Sequence, residues 1–198
     1  KKFFIKYNNK IKKILKSINR NVYLLYISSD YVYSGNQNVY YDNSIARPIN
    51  FYGKLKFDIE KFIKKKFKNF IILRSPKIYS NDYTLDTIYG DIYKKLKKGT
   101  KFQVFYDQKI QLLYLNDFLN IILKILKKNP KILGTFNLVG QSTTRYEFSK
   151  KIARKFNLKT NNILPVKIKR YSNLNLPKKL ILKTNLYKKL RFNHKFKI

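Results

Sequence analysis

Two short apolar runs constrain this chain more than anything else in it. Val22 to Ile27 (VYLLYI) and Phe70 to Arg74 (FIILR) hold one charged residue between them, Arg74. The first stops at Ser28-Ser29-Asp30 and the second at Ser75-Pro76. A strand wetted on one face alternates apolar with polar residues. A run without alternation fits a strand covered on both faces, as in a parallel sheet. The segments around these runs have helical spacing. Residues 9–19 place Ile11, Ile14, Leu15 and Ile18 on one face and stop at Asn19-Arg20-Asn21. The loop 34–50 is rich in Gly, Asn, Asp, Ser and Pro, and Asn50 is suited to cap a helix from about Phe51 to Lys66. Helix, strand, helix, strand in alternation predicts βαβ units and an α/β fold. In such sheets ligands bind at the carboxyl ends of the strands, where both serine stops would lie.

The remaining pattern is of the same kind. Residues 85–98 predict a helix with Leu85, Ile88, Ile92 and Leu96 inward, closed by Gly99. Phe102 to Phe105 reads as a short strand, Tyr114 to Lys127 as an amphipathic helix with Asp117 near its start, and Gly134 to Val139 as a strand. Ser142 to Phe156 predicts a helix with Tyr146, Phe148, Ile152 and Phe156 available for packing. Thr143 or Thr144 caps it, and Glu147 completes a capping box with Thr144. From Asn157 to Ile198, short apolar groups alternate with Lys and Asn and no element is predicted. No solenoid repeat is visible.

Charge is the other strong bias. Lys and Arg total 45 against ten acids, a formal net charge of +35. Such an excess suits a nucleic acid or an anionic membrane. Only seven of the basic residues are Arg, however, and Lys, Asn, Ile, Tyr and Phe are all heavily used. These have A/T-rich codons, and the lysines are spread along the chain instead of gathered in a patch. Drift in codon usage accounts for the excess, with non-specific adhesion to polyanions at low salt as its consequence. No specific nucleic acid and no membrane are expected as partners. No apolar run approaches the roughly 18 residues of a membrane span. The basic opening segment has one Arg and no small-residue cleavage site, so it reads as a surface helix and not a leader. Cys is absent, which fits a reducing, cytoplasmic setting. Met is absent too, and the expectation is a piece of something longer. With scattered acids and one His, His194 in the basic tail, no metal site is predicted.

One constellation carries chemistry. Reduction of a carbonyl by hydride needs a proton for the developing alkoxide and a donor aimed at its oxygen. A Tyr phenol can supply the proton, and a nearby Lys ammonium favours the phenolate. Tyr52 and Lys56 are four apart on a predicted helix and share a face. Ser29, at a strand end, can hold the substrate oxygen. Tyr-x-x-x-Lys alone is a weak signal in a chain with 17 Tyr; the strand-end serine is what strengthens it.

ISSDYVYSG, then ARPINFYGKLKFDIEKFI, then FIILRSPKIYS resemble the core of the extended short-chain dehydrogenases/reductases. The likeness is to the dTDP-4-dehydrorhamnose reductase family, including the branch of the methionine adenosyltransferase regulatory beta subunit. The matching positions are Ser28 to Tyr33, Pro48 to Lys56, Glu60, Leu73-Arg74 and Tyr79, with Asp107-Gln108 and Asp117 further on. The resemblance implies the C-terminal part of a Rossmann-like doubly wound parallel sheet plus a small α/β substrate lobe. Residues 1–80 would form the partial NAD(P)-binding part, and 81–198 mostly the lobe, with some segments returning to the sheet. It further implies NADP or NAD as cofactor and a 4-keto nucleotide sugar of dTDP-rhamnose biosynthesis as substrate. Ser29 would orient the carbonyl, Tyr52 donate the proton, and Lys56 partner Tyr52 and touch the nicotinamide ribose. Ser75 and Ile78 would approach the nicotinamide, and Asp30 and Tyr31 would lie near the substrate. Possible partners are a second copy, as a homodimer, or a methionine adenosyltransferase-like catalytic subunit. Three departures stand out. None of the six Gly forms the Gly-x-x-Gly-x-x-Gly turn that holds a dinucleotide pyrophosphate. Gln111 and Leu113 stand where the family has Arg-x-Thr. Ser80 replaces the Gly after Tyr79, and Pro76 leans toward the regulatory branch.

Overall fold

Parallel pairing sets the two apolar runs side by side. In the computed structural model, which describes residues 2–128 and 131–192, β1 (Leu24–Ser29) pairs with β2 (Phe70–Ser75) from Leu24↔Phe70 to Ser29↔Ser75. The far side of β2 takes up β6 (Gly134–Asn137), also parallel, in the order β1-β2-β6. The central strand is the one with the purest apolar run, and its Ile71, Ile72 and Leu73 are fully buried. Successive side chains of a strand point to opposite faces. Accordingly Ile72 packs with Leu15, Ile59, Ile63 and Phe67 of the layer made by α1 (Lys2–Ser17) and α2 (Phe51–Lys66). Ile71 and Leu73 pack on the other face, with Ile121 and Ile125 of α4 (Leu115–Lys127) and Leu186 of α6 (Leu186–Lys189). The α/β class and the parallel sheet are as the sequence predicts.

The second part of the chain forms smaller sheets. β3 (Lys77–Tyr79) pairs in parallel with β5 (Lys109–Tyr114), which pairs antiparallel with β7 (Gln141–Thr144). β4 (Phe102–Phe105) pairs in parallel with β8 (Ile163–Val166). α3 (Ile88–Lys97) and α5 (Arg145–Lys155) close over them around Tyr79, Ile92, Leu96, Val104, Phe148 and Ile152. No helix among the described residues is long and apolar enough to cross a membrane.

Several boundaries differ from the sequence reading, each for a physical reason. Ser142 to Thr144 is strand and not helix, because β5 offers it an antiparallel partner; Thr144 then caps α5, with the predicted capping box to Glu147. β3 and β5 have no counterpart in the sequence reading, since LLY adjoins a stronger helical period. Leu85 is 41% exposed and precedes α3, which starts after Thr87, whose side chain accepts from the Gly90 N–H. The first helix begins at Lys2, and Ile14 faces outward while Leu15 is buried. The segment after Asn157, unassigned from sequence, contributes β8, α6 and a strap. In the strap Leu180 and Leu182 are buried against Val32, Tyr33 and Tyr40. His194 lies outside the described residues.

Candidate active site

The carboxyl ends of β1 and β2 put Ser29 and Ser75 in register. After Ser29 the chain enters a short 3-10 turn, Asp30–Val32. The Ser29 hydroxyl caps the start of this turn: Oγ accepts from the Tyr31 N–H at 3.2 Å and donates to Asp30 Oδ1 at 3.2 Å. The second helix is aimed at the same place. Asn50 caps it, its Oδ1 accepting from the Gly53 N–H at 2.8 Å. Gly53 has no room for a side chain, since a Cβ there would sit 2.0 Å from the Tyr31 carbonyl oxygen. The first turn of α2 therefore rests directly on the turn after β1. This contact brings the Tyr52 ring edge-on to Tyr31, with centroids 6.0 Å apart. One turn later, Lys56 Nζ lies 5.9 Å from the Tyr52 ring centre and 5.3 Å from that of Tyr26, and donates to the Ile27 carbonyl at 3.2 Å.

A cavity of about 380 Å³ opens at these strand ends. Ser29, Asp30, Tyr31, Tyr52, Lys56, Ser75 and Ile78, all singled out from sequence, line it together. Gln111, noted from sequence only as a departure, lines it as well and exchanges hydrogen bonds with the Leu182 backbone (3.2 and 3.1 Å). Two charged wall residues escape sequence reasoning, Lys77 and Arg145. Nothing local marks either one: Lys77 is one of many lysines, and Arg145 owes its position to the β7–α5 junction. Asp107 and Asp117 do not line the cavity; Asp107 instead accepts from the Ile168 N–H at 2.8 Å.

Burial governs how these groups titrate. It pushes the Asp30 carboxyl up to about 7, against the pull of the Ser29 hydroxyl and Lys77. It also raises the Tyr52 phenol, which the Ser29 hydroxyl lowers in part. It lowers the Lys56 ammonium, which Glu60 pulls back up. Sequence reasoning expects Lys56 to depress Tyr52; in the structure desolvation dominates. Near neutral pH Tyr52 is therefore the protonated phenol, the form that can give up a proton.

Behind the cavity lies a buried polar network. Glu60, fully buried one turn after Lys56, receives Arg74 Nη2 at 2.8 Å, Arg74 Nε at 3.1 Å and the Ser28 hydroxyl at 2.6 Å. Arg74 Nη1 donates to the Tyr33 hydroxyl (2.8 Å), which donates to Asn137 Oδ1 (2.8 Å). Asn137 Nδ2 in turn donates to the Tyr40 and Lys183 carbonyls. The network ties β1, α2, β2, β6 and the late strap to one another immediately beneath Ser29 and Lys56.

A hydroxyl at a parallel strand end, with a Tyr and a Lys one turn apart on the next helix and all three on one cavity, is the arrangement of the short-chain dehydrogenase/reductase class. Within that class, the chain belongs to the RmlD substrate binding domain family, whose model matches residues 12–195. It is similar to methionine adenosyltransferase 2 subunit beta of Rattus norvegicus, 30% identical over 152 residues, covering 73% of this chain and 45% of that one. The Danio rerio protein of the same name is 25% identical over 150 residues. Among solved structures it is similar to dTDP-4-dehydrorhamnose reductase from Bacillus anthracis in complex with NADP, with a TM-score of 0.77 and 27% identity. That match covers 87% of this chain and 60% of the other. The chain thus spans less than half the length of the curated relatives it matches.

Proposed function

We propose that the protein reduces the 4-keto group of a nucleotide sugar with NAD(P)H, in the manner of dTDP-4-dehydrorhamnose reductase. One observation carries this reading: Ser29, Tyr52 and Lys56 meet on a single cavity at the carboxyl ends of β1 and β2. The similarity to the Bacillus anthracis reductase, a complex with NADP, supports it.

The residues present fit the nicotinamide end of such a cofactor. Tyr52 and Lys56 supply donors for a ribose, and the chain around Ser75 to Ile78 borders the same cavity. The pyrophosphate end finds no Gly-rich turn in this sequence. When bound, the nicotinamide supplies hydride. The Ser29 hydroxyl holds the substrate oxygen, and Tyr52 gives its proton to that oxygen as negative charge develops. Burial that keeps Tyr52 protonated holds this proton ready. Lys56 is steered by the Ile27 carbonyl and the Glu60 charge, and stabilises the phenolate that results. The test is loss of NADPH absorbance with dTDP-4-dehydrorhamnose as substrate. Tyr52→Phe should lower kcat at least about 100-fold; a variant that keeps wild-type turnover would exclude Tyr52 as the acid.

A second reading follows from the similarity to methionine adenosyltransferase 2 subunit beta. On that reading the same scaffold is a non-catalytic subunit, and its readout is co-purification with a methionine adenosyltransferase catalytic chain in the absence of turnover.

A further inference from the structure

We infer that Arg145 and Lys77 form an anion-accepting wall of the Ser29–Tyr52–Lys56 cavity, so that the molecule bound there carries a phosphoryl or carboxylate group. The inference rests on the reading of this cavity as a substrate site, and it specifies what that substrate must bear.

Two separate parts of the fold deliver these cations. Lys77 opens β3, two residues past Ser75 at the end of β2. Arg145 opens α5, and its backbone position is held by the capping box between Thr144 and Glu147. Both side chains line the cavity, together with Lys56. Of the chain's ten acids, only Asp30 lines it. The wall therefore holds three cations against one carboxyl. Asp30 is itself a poor counter-ion, since burial raises it to about 7 and leaves it partly neutral at physiological pH.

Arg145 has its own deficit. The nearest acid in sequence, Glu147, is engaged by the Thr144 N–H at 2.9 Å. Arg145 enters no ion pair among the described residues, unlike Arg74, which pairs with Glu60. Its Nε is buried and has no hydrogen-bond partner. A buried donor left unpaired is destabilising. The two cations also oppose one another: the Lys77 ammonium is lowered first by burial and then by the charge of Arg145, while Asp30 and Asp91, the latter behind the wall beside Arg145, pull it back up. An oxyanion placed between them removes both defects. A guanidinium can grip two oxygens of a phosphoryl or carboxylate group at once, while the Lys ammonium adds a point charge.

The experiment is an equilibrium titration of the protein at physiological salt. Ionic strength there screens the many exposed lysines over about 8 Å. Two ligand pairs serve as probes, dTDP with thymidine and glucuronate with glucose. The charged member of at least one pair should bind ten-fold or more tightly than its neutral partner. The pair that does so separates a phosphoryl from a carboxylate source. Arg145→Gln and Lys77→Gln should each abolish most of that preference and leave the neutral ligand's affinity unchanged. Arg145→Lys, which keeps the charge and loses the fork, should retain part of it. Lys124→Gln, on the exposed side of α4, should change nothing. The inference is overturned if charged and neutral members bind alike, or if the preference persists in Arg145→Gln. Arg145-dependent anion binding without NADPH-dependent turnover would sustain this inference and sink the reductase reading. Absence of binding by all four ligands would refute both.

Discussion

Replacing Arg74 with Leu tests how the candidate site is held. Glu60 is fully buried and Arg74 is 3% exposed. Arg74 gives Glu60 three N–H contacts, at 2.8, 3.1 and 3.3 Å, and gives Tyr33 a fourth. In Arg74→Leu the Glu60 carboxylate keeps only the Ser28 hydroxyl, in a place water does not reach. Breaking a buried pair by removing one partner costs about 3–5 kcal/mol. That is a large fraction of the ~5–15 kcal/mol available to a folded domain. For a chain of this length it corresponds to a fall in Tm of roughly 6–20 °C. Removing both charges is a different matter, because no uncompensated ion is left behind. The double variant Glu60→Leu/Arg74→Leu should therefore lie well above the sum of the two single losses, with a coupling of about 2 kcal/mol or more. Urea unfolding followed by far-UV circular dichroism measures all four species. A loss below about 1 kcal/mol for Arg74→Leu, or strict additivity in the cycle, would refute the claim that this pair anchors the site.

Three further perturbations probe other links. Asp30 has a folded value near 7 against an ordinary 3.8, so the folded state binds the extra proton. The contribution of Asp30 to stability is then greatest below about pH 4 and declines as pH rises toward 7, by up to about 4 kcal/mol. Asp30→Asn should flatten that slope in urea midpoints taken from pH 4 to 8, and an unchanged slope would count against it. Gly53→Ala would force a Cβ to within 2.0 Å of the Tyr31 carbonyl. It should destabilise by about 1–3 kcal/mol, where an ordinary helix interior would gain about 1; a stabilised variant would disprove the close approach of α2. Leu186 is fully buried in the cluster around Leu73 and Phe136. Leu186→Ala should cost about 2–5 kcal/mol, and thermal unfolding at wild-type Tm would show that the late segment is not part of this core.

The sequence by itself determined what depends on neighbours three or four residues away, and what depends on unbroken apolar runs. α2 runs from Phe51 to Lys66 as its pattern predicts, with Asn50 as its cap. α5 carries the expected capping box. VYLLYI and FIILR became adjacent parallel strands, and the serines after them fell at the carboxyl edge of the sheet, on one cavity. Only the tertiary structure decided what depends on distant partners. Ser142 to Thr144 is strand because β5 lies beside it. The segment after Asn157 is structured because Tyr40, Tyr33 and Val32 await Leu180 and Leu182. Whether Tyr52 is raised or lowered was set by desolvation against the charge of its neighbours, a balance that spacing cannot express. Lys77 and Arg145 look ordinary in the sequence, and they share a cavity wall only because β3 and the β7–α5 junction converge there. Local periodicity and capping are written within one helical turn, whereas pairing, burial and electrostatics are properties of surfaces that meet after folding.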